Sequence, residues 1–448
     1  MSDNYQSAVR LLTSKGRFRI ELGLERIKKI LGLLNEPQND FKIIHIAGTN
    51  GKGSVCSITA KILECAGFKT ALYTSPHLID YTERIKINSA DIPKEDFSKY
   101  LDFVVGLADK NSIELTEFEI LTAVAFKYFS DKKVDYALIE TGLGGRFDAT
   151  NAADNKILTV ITSISADHKA QLGDTIEKIA FEKAGIMREN TPVIVGKNNK
   201  GFSIIKEKAE KINATLIIPK SEVKIEFKNN KNYAVIDGKE YEFPLLGLYQ
   251  KENLELVYEI INYLSSTKYS PTGKPSHQPS PIEEEADCRL GFNPTLNFES
   301  AIREGLKTVQ WNSRFQYIKE KKLIIDGAHN EDGAKKLRES LDFYFPSENR
   351  RFIFGAMNTK EYQKVAKILF RPQDRVYFYQ FKDKRSISFE EFKPCCEKAI
   401  EICSPSPRER AGEMVLPKIQ DIINSNIKDT ITISCGSFYV TGEVLNLL

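Results

Sequence analysis

The segment Phe41 to Ser54, FKIIHIAGTNGKGS, constrains the fold of this chain more than any other. An apolar, β-branched run from Phe41 to Ala47 stops at a glycine-rich loop, and VCSITAKILECAG then carries apolar residues at helical spacing as far as Gly67. Strand, loop and helix in that order commit the region to an α/β layer, because so continuous an apolar strand is buried on both faces. Further short apolar runs follow at Lys69 to Thr74, Val134 to Glu140, Ile157 to Thr162 and Pro192 to Val195, separated by helical stretches such as Phe118 to Phe129 and Thr175 to Ala184. The alternation predicts a mostly parallel sheet covered by helices, with its chemistry at the carboxyl ends of the strands.

A second alternating set, at Leu323 to Ile325, Arg351 to Phe354, Arg375 to Tyr379 and Thr430 to Ser434, predicts a smaller C-terminal α/β unit of Rossmann-like type. A chain of 448 residues is long enough for two such domains. The boundary is expected near Thr308, after the helical stretch Phe298 to Leu306, giving domains 1–308 and 309–448. The stretch 266–293 is rich in Pro, Ser and charge and is expected to be a flexible insertion. Lys and Arg (64) nearly balance Asp and Glu (61), which argues against nucleic acid or an anionic membrane as partner and favours small-molecule chemistry. The N-terminus has no secretory h-region and no run of about 18 uncharged apolar residues exists, so a cytoplasmic enzyme is expected. Seven cysteines without CxxC spacing read as reduced thiols.

The loop Gly48-Thr49-Asn50-Gly51-Lys52-Gly53-Ser54 opens a helix, so its backbone N–H groups and the helix N-terminus make an anion cradle in which Lys52 neutralises a nucleotide phosphate. Ile46 replaces the first glycine of the common phosphate-loop pattern, and Gly53 stands where the metal-binding hydroxyl should follow the lysine. A metal therefore needs another ligand. Ser75, in TSPHL, is one source of the missing oxygen, and Glu140, ending a buried strand before TGLGGRFD, is a carboxylate suited to Mg²⁺. His168, just past another strand, is a further metal-ligand candidate, and His77 and His329 share that placement. Lys183 near a helix end would by itself be an ordinary C-terminal charge. In the second unit, Asp326 is placed to grip a ribose hydroxyl, and Arg314 to clamp a phosphate across a cleft.

Taken in order, GTNGKGSV, TSPHL, ETGLGGRFDATN, SADH, EKAG, DGAHN and GSFYVTGEV resemble the folylpolyglutamate synthase and dihydrofolate synthase family of the Mur ligase superfamily, and LGLER at Leu22 to Arg26 matches the family's N-terminal helix motif. The resemblance spans Gly48 to Val444. It implies a P-loop-type ATP-binding domain followed by a glutamate ligase domain. The implied enzyme is an ATP-dependent acid-amino-acid ligase that adds L-glutamate to a folate carboxylate through an acyl phosphate, using dihydropteroate as well if bifunctional. By resemblance Thr49, Asn50, Gly51, Lys52, Gly53, Ser54, Gln250, Asn253, Arg314 and Asp326 bind nucleotide, and Lys52, His168, Lys183 and His329 are catalytic. One Mg²⁺ is implied near Ser75 and Glu140 and a second near Glu140, His168 and Lys183, with Lys183 as a carbamylated, carboxylate-like ligand. A monomer is implied too.

Four places depart from the family pattern. Tyr249 stands for a histidine in the G-x-H-Q-x-x-N stretch, Asn312-Ser313 for Pro-Gly, Asn358 to Glu361 for an acidic D-K-D-like segment that keeps Lys360, and Lys169-Ala170 for a hydroxyl and acidic pair. Two rival functions are a cell-wall Mur-type amino-acid ligase and an ATP-binding switch that ligates nothing.

Overall fold

Every residue from Ile43 to Ala47 is buried, all of them apolar except His45, which sets β1 (Lys42–Ala47) at the centre of the molecule's largest sheet. Its companions are β2 (Thr70–Tyr73), β3 (Ile85–Ile87), β4 (Ala90–Asp91), β5 (Tyr136–Glu140), β6 (Lys156–Ile161), β7 (Val193–Val195) and β8 (Leu216–Ile217), in the order β4-β3-β2-β5-β1-β6-β7-β8. All neighbours are parallel except β2 with β3 and β3 with β4, an antiparallel edge that the apolar runs did not announce. The computed structural model describes residues 3–16, 21, 23–266, 298–358, 360–402, 418–425 and 427–448. All but Ser266 of the expected insertion, together with Leu22, Cys288 and Cys403, lie outside the described residues.

Both faces of the sheet are covered, as a parallel sheet requires. Ile44 and Ile46 pack with Val55, Ile58 and Ile62 of the helix Lys52–Cys65 and with Leu254 and Val257 of the helix Gln250–Ser266. Ile43, Tyr73, Ala137 and Ile139 face the other way, against Leu101 and Val104 of the helix Lys94–Lys110 and Leu121 and Phe126 of the helix Glu117–Asp131. The last of these helices starts where Thr116 and Glu119 satisfy each other's backbone N–H groups in a capping box.

A second sheet, of three antiparallel strands, β9 (Val223–Lys228), β10 (Lys231–Ile236) and β11 (Lys239–Glu242), lies outside the expected pattern. The third comprises β12 (Gln316–Ile318), β13 (Leu323–Ile325), β14 (Asn349–Phe354), β15 (Arg375–Tyr379), β16 (Ile400–Ile402) and β17 (Thr430–Cys435), ordered β12-β13-β17-β14-β15-β16 and parallel apart from β12. The helix Phe298–Thr308 precedes it and packs on the helix Lys52–Cys65. The second sheet meets the third through Tyr344, whose hydroxyl donates to Asn232 Oδ1 at 2.9 Å. Cys56, Cys65, Cys395, Cys396 and Cys435 are free thiols. Among the described residues, no helix is long and apolar enough to cross a membrane.

Candidate active site

The carboxyl ends of β1, β2, β5, β6 and β13 open into one cleft of about 1260 Å³. Its floor is the loop Gly48 to Ser54. Gly51, at φ +91°, caps the helix Lys52–Cys65, and a side chain there would also come within 2.4 Å of Asn253 Oδ1, so only glycine fits. The loop is tied to the end of β6: Thr49 N–H donates to Ser163 O at 2.7 Å, and Thr162 Oγ1 donates to Asn50 O at 2.7 Å. Lys52 Nζ donates to Gly48 O and Thr49 O, each at 3.2 Å, which curls its ammonium back over the loop. Ser54 Oγ is buried and has no hydrogen-bond partner. A buried hydroxyl beside a helix N-terminus is a donor for an anionic oxygen or a ligand for a cation.

Glu140 lies on the same floor, 4% exposed, with its Oε2 accepting Ser75 N–H at 3.2 Å and its Oε1 3.9 Å from Lys52 Nζ. Burial pushes its carboxyl pKa up, while Lys52 and the Ser75 amide pull it down. Lys183 arrives from the helix Ile176–Ala184, 5% exposed, and donates to Gly48 O at 2.7 Å. Desolvation, and then the nearby Lys52 charge, lower its ammonium to about 7, so a neutral amine is present at physiological pH. The approach of this helix depends on Gly145, where a Cβ would meet Glu182 O at 2.7 Å and Lys183 O at 2.8 Å. His168 takes a left-handed backbone (φ +50°), with its ring 45% exposed into the cleft. Desolvation, joined by Lys360 and His329 and opposed by Asp167, lowers its pKa to about 4, which leaves a neutral imidazole.

From the other side the third sheet contributes Arg314, Asp326 and His329. Arg314 lies with its guanidinium carbon 4.8 Å over the Phe438 ring, and Nη1 donates to Ser313 O. Both oxygens of Asp326 are engaged: Oδ2 accepts the Tyr249 hydroxyl at 3.0 Å and Phe315 N–H at 2.8 Å, and Oδ1 accepts Ala328 N–H at 2.8 Å. Asp326 thus shapes the turn that presents His329, and Tyr249 supplies a donor from its departed position. His329 Nδ1 is 2.7 Å from Gly327 O and must donate there, while Nε2 faces Asp167 Oδ2 at 3.6 Å.

Polar contacts cross the cleft. Asn50 Nδ2 donates to Asp332 Oδ2 at 2.8 Å, Asn330 Nδ2 donates to Asp167 Oδ2 at 3.1 Å, and Lys360 pairs with Asp167. Burial opposes ionisation of Asp167, but His329 and Lys360 hold its carboxyl far below the usual range. Among the described residues no three His, Cys, Asp or Glu side chains converge on one point. A divalent ion at Glu140 would complete its shell with phosphate, hydroxyl or water oxygens, as Mg²⁺ prefers.

These elements match known sequences along nearly the whole chain. The Mur ligase middle domain matches residues 46–258, and the dihydrofolate synthetase C-terminal domain matches residues 310–447. The dihydrofolate synthetase of Saccharomyces cerevisiae is 31% identical over 96% of this chain and 98% of its own length. The dihydrofolate synthase/folylpolyglutamate synthase of Bacillus subtilis is 31% identical, with 98% of each covered. The chain belongs to the folylpolyglutamate synthase and dihydrofolate synthase family. It is therefore a two-domain Mur-type enzyme, an ATP-dependent ligase. A crystal structure of the bifunctional folylpolyglutamate synthase/dihydrofolate synthase of Yersinia pestis, complexed with AMPPNP and Mn ion, superposes with a TM-score of 0.78 at 26% identity over 99% of this chain and 98% of that one. A crystal structure of a bifunctional folylpolyglutamate synthase/dihydrofolate synthase with Mn, AMPPNP and L-glutamate bound gives 0.75 at 26% identity over 98% of this chain and 97% of that one.

Of the expected site residues, the cleft brings together Thr49 to Ser54, Ser75, Glu140, His168, Lys183, Asn253, Arg314, Asp326 and His329. Gln250 is fully buried outside it, and its Oε1 accepts Asn253 Nδ2 at 2.8 Å. Its Nε2 is buried without a hydrogen-bond partner. Sequence reasoning assigned no role to Asn330, Asp332 or Asp167. The acidic first turn after DGAHN and the Asp of SADH are the signals that could have found them, since both follow strands.

Proposed function

We propose that this chain joins L-glutamate to the carboxylate of a folate, with dihydropteroate as a second acceptor. The observation that carries the proposal is the meeting, in one cleft, of a phosphate loop, a buried carboxylate, a lysine of depressed pKa and cations from a second α/β unit. The relatives' names and the nucleotide, metal and glutamate held by the two bifunctional folylpolyglutamate synthase/dihydrofolate synthase complexes support it.

In this account residues 1–308 form the ATP-binding domain and residues 309–448 the glutamate ligase domain. The loop amides, Lys52 and Ser54 hold the β- and γ-phosphates, and Arg314 and His329 meet them from the second domain. A folate carboxylate oxygen attacks the γ-phosphorus and ADP leaves. The amine of L-glutamate then attacks the acyl phosphate carbon, losing a proton, and inorganic phosphate departs to leave an amide. Glu140 with Ser75, and Glu140 with His168 and Lys183, would hold two Mg²⁺, which supply charge neutralisation to the transferring phosphoryl group. A neutral Lys183 amine can add CO₂ through its nitrogen lone pair and release one N–H proton to solvent, giving a carbamate that is an anionic ligand where a protonated lysine would be a cation. We place the enzyme in the cytoplasm as a monomer. The test is ADP release, which must require both a folate and L-glutamate; release driven by a UDP-linked peptide, or by ATP alone, would contradict the assignment.

A further inference from the structure

His45 occupies the interior of β1, wholly buried, and none of the steps above uses it. Its strand neighbours Ile44 and Ile46 are aliphatic, so an imidazole here replaces a residue that would need no hydrogen bond. Its Nε2 lies 2.8 Å from Thr150 Oγ1 and 3.1 Å from Thr141 Oγ1. These two threonines bracket the loop between them: Thr141 directly follows Glu140, and Thr150 belongs to the short turn Ala149–Ala152. The Thr150 hydroxyl donates to Asp148 Oδ1. The same carboxylate accepts Thr150 N–H at 3.1 Å and Leu143 N–H at 2.8 Å, closing the loop on itself.

The protons can be counted from these contacts. A carboxylate surrounded by donors only accepts, so the Thr150 proton is committed to Asp148. The Thr150 lone pair facing His45 must then be met by an N–H. That makes Nε2 the protonated nitrogen and leaves Nδ1 bare, in agreement with Nδ1 being buried without a hydrogen-bond partner. Burial first, and then the charges of Lys156 and Arg188, disfavour the imidazolium, so the ring is a neutral donor.

We propose that His45 is a positioning residue of the ligation reaction: through Thr150 and Asp148 its Nε2–H fixes the loop that leaves Glu140 and carries the Gly142 to Gly145 turn into the cleft. The proposal rests on the ligase function given above, and its test has one arm that does not. In the full-length protein with ¹⁵N-labelled histidine, one of the five imidazoles, identified by its loss in His45→Gln, must show a protonated Nε2 and an unprotonated Nδ1 at neutral pH. A protonated Nδ1 or a charged ring overturns the proposal whatever the enzyme ligates. In the kinetic arm, His45→Leu should lower kcat by about tenfold or more while KM for ATP stays within about threefold and the urea midpoint is unchanged. His45→Gln, which offers an amide N–H at similar reach, should recover most of the loss. Thr150→Val should also lower kcat, and the double variant should fall no further than the worse single one, because both act through one chain of hydrogen bonds. Wild-type kcat in His45→Leu would overturn the proposal, as would equal losses in the Leu and Gln variants accompanied by a lowered urea midpoint.

Discussion

At the scale of single residues, Lys183 and Lys52 divide the work of one small volume. Burial first, and then the charge of Lys52, make a second ammonium costly there, and Lys183 drops to about 7. If it serves as a carbamate, Lys183→Ala removes a metal ligand, and a short carboxylic acid added to the assay should restore part of the lost activity. Wild-type turnover in that variant would eliminate the role. Lys52→Ala should leave the circular dichroism spectrum unchanged and reduce ligation by about 10²–10³, the loss typical of one preorganised electrostatic contact. Much of this residue chemistry was legible, because a titratable group just after an apolar strand sits by topology at the active edge of the sheet. What no spacing could supply was pairing across the cleft. Tyr249 is 77 residues from its acceptor Asp326, and Lys360 is 193 from Asp167.

Secondary-structure elements show where pattern succeeds and where it fails. The buried parallel strands were found because apolar residues dominate them on both faces. The second sheet was missed because VKIEFK, KNYAVI and KEYE alternate charge with apolar residues and leave one face in water. Its turns do carry a signal: Asn229-Asn230 and Asp237-Gly238 all have positive φ, as two-residue type I′ hairpins demand. The glycine loop against the helix Ile176–Ala184 gives a stability prediction. Gly145→Ala must separate that helix from the loop and should cost about 1–3 kcal/mol, read as a lower urea midpoint with Lys183 displaced. The docking of the first helix (Asp3–Ser14) gives a pH prediction. Burial raises the Asp80 carboxyl, but Lys94, Tyr5 and Thr82 outweigh it and hold it at about 2. A carboxyl depressed on folding stabilises above its unfolded pKa near 4, and that contribution is lost as pH falls from there toward 2. Asp80→Asn should therefore flatten the fall of the urea midpoint over this interval, and an unchanged slope would show that Asp80 does not carry it.

At the scale of the whole molecule, the first and third sheets are held together by contacts of two kinds. Tyr344 and Phe227 make an apolar seam through the second sheet, and polar groups such as Asn50 with Asp332 and Lys360 with Asp167 bridge the cleft itself. Lys169 and Glu361 pair across it at 3.1 Å, and both stand where the chain departs from the family pattern. An exposed pair of this kind is worth about 0.2–1 kcal/mol, so Lys169→Glu should raise KM for ATP by no more than about fivefold, and adding Glu361→Lys should reverse it. Two α/β units were visible in the order of strands and helices. Their seam was not, because it is built by β9 and β10, the strands whose pattern was hidden. The account as a whole is tested most directly by mass spectrometry of the products formed by the purified protein with MgATP and L-glutamate, supplied in parallel with dihydropteroate and with tetrahydrofolate. One glutamate residue added to dihydropteroate, and one or more added to tetrahydrofolate, are the predicted results. Bound ATP with no gain of mass on either acceptor would contradict it.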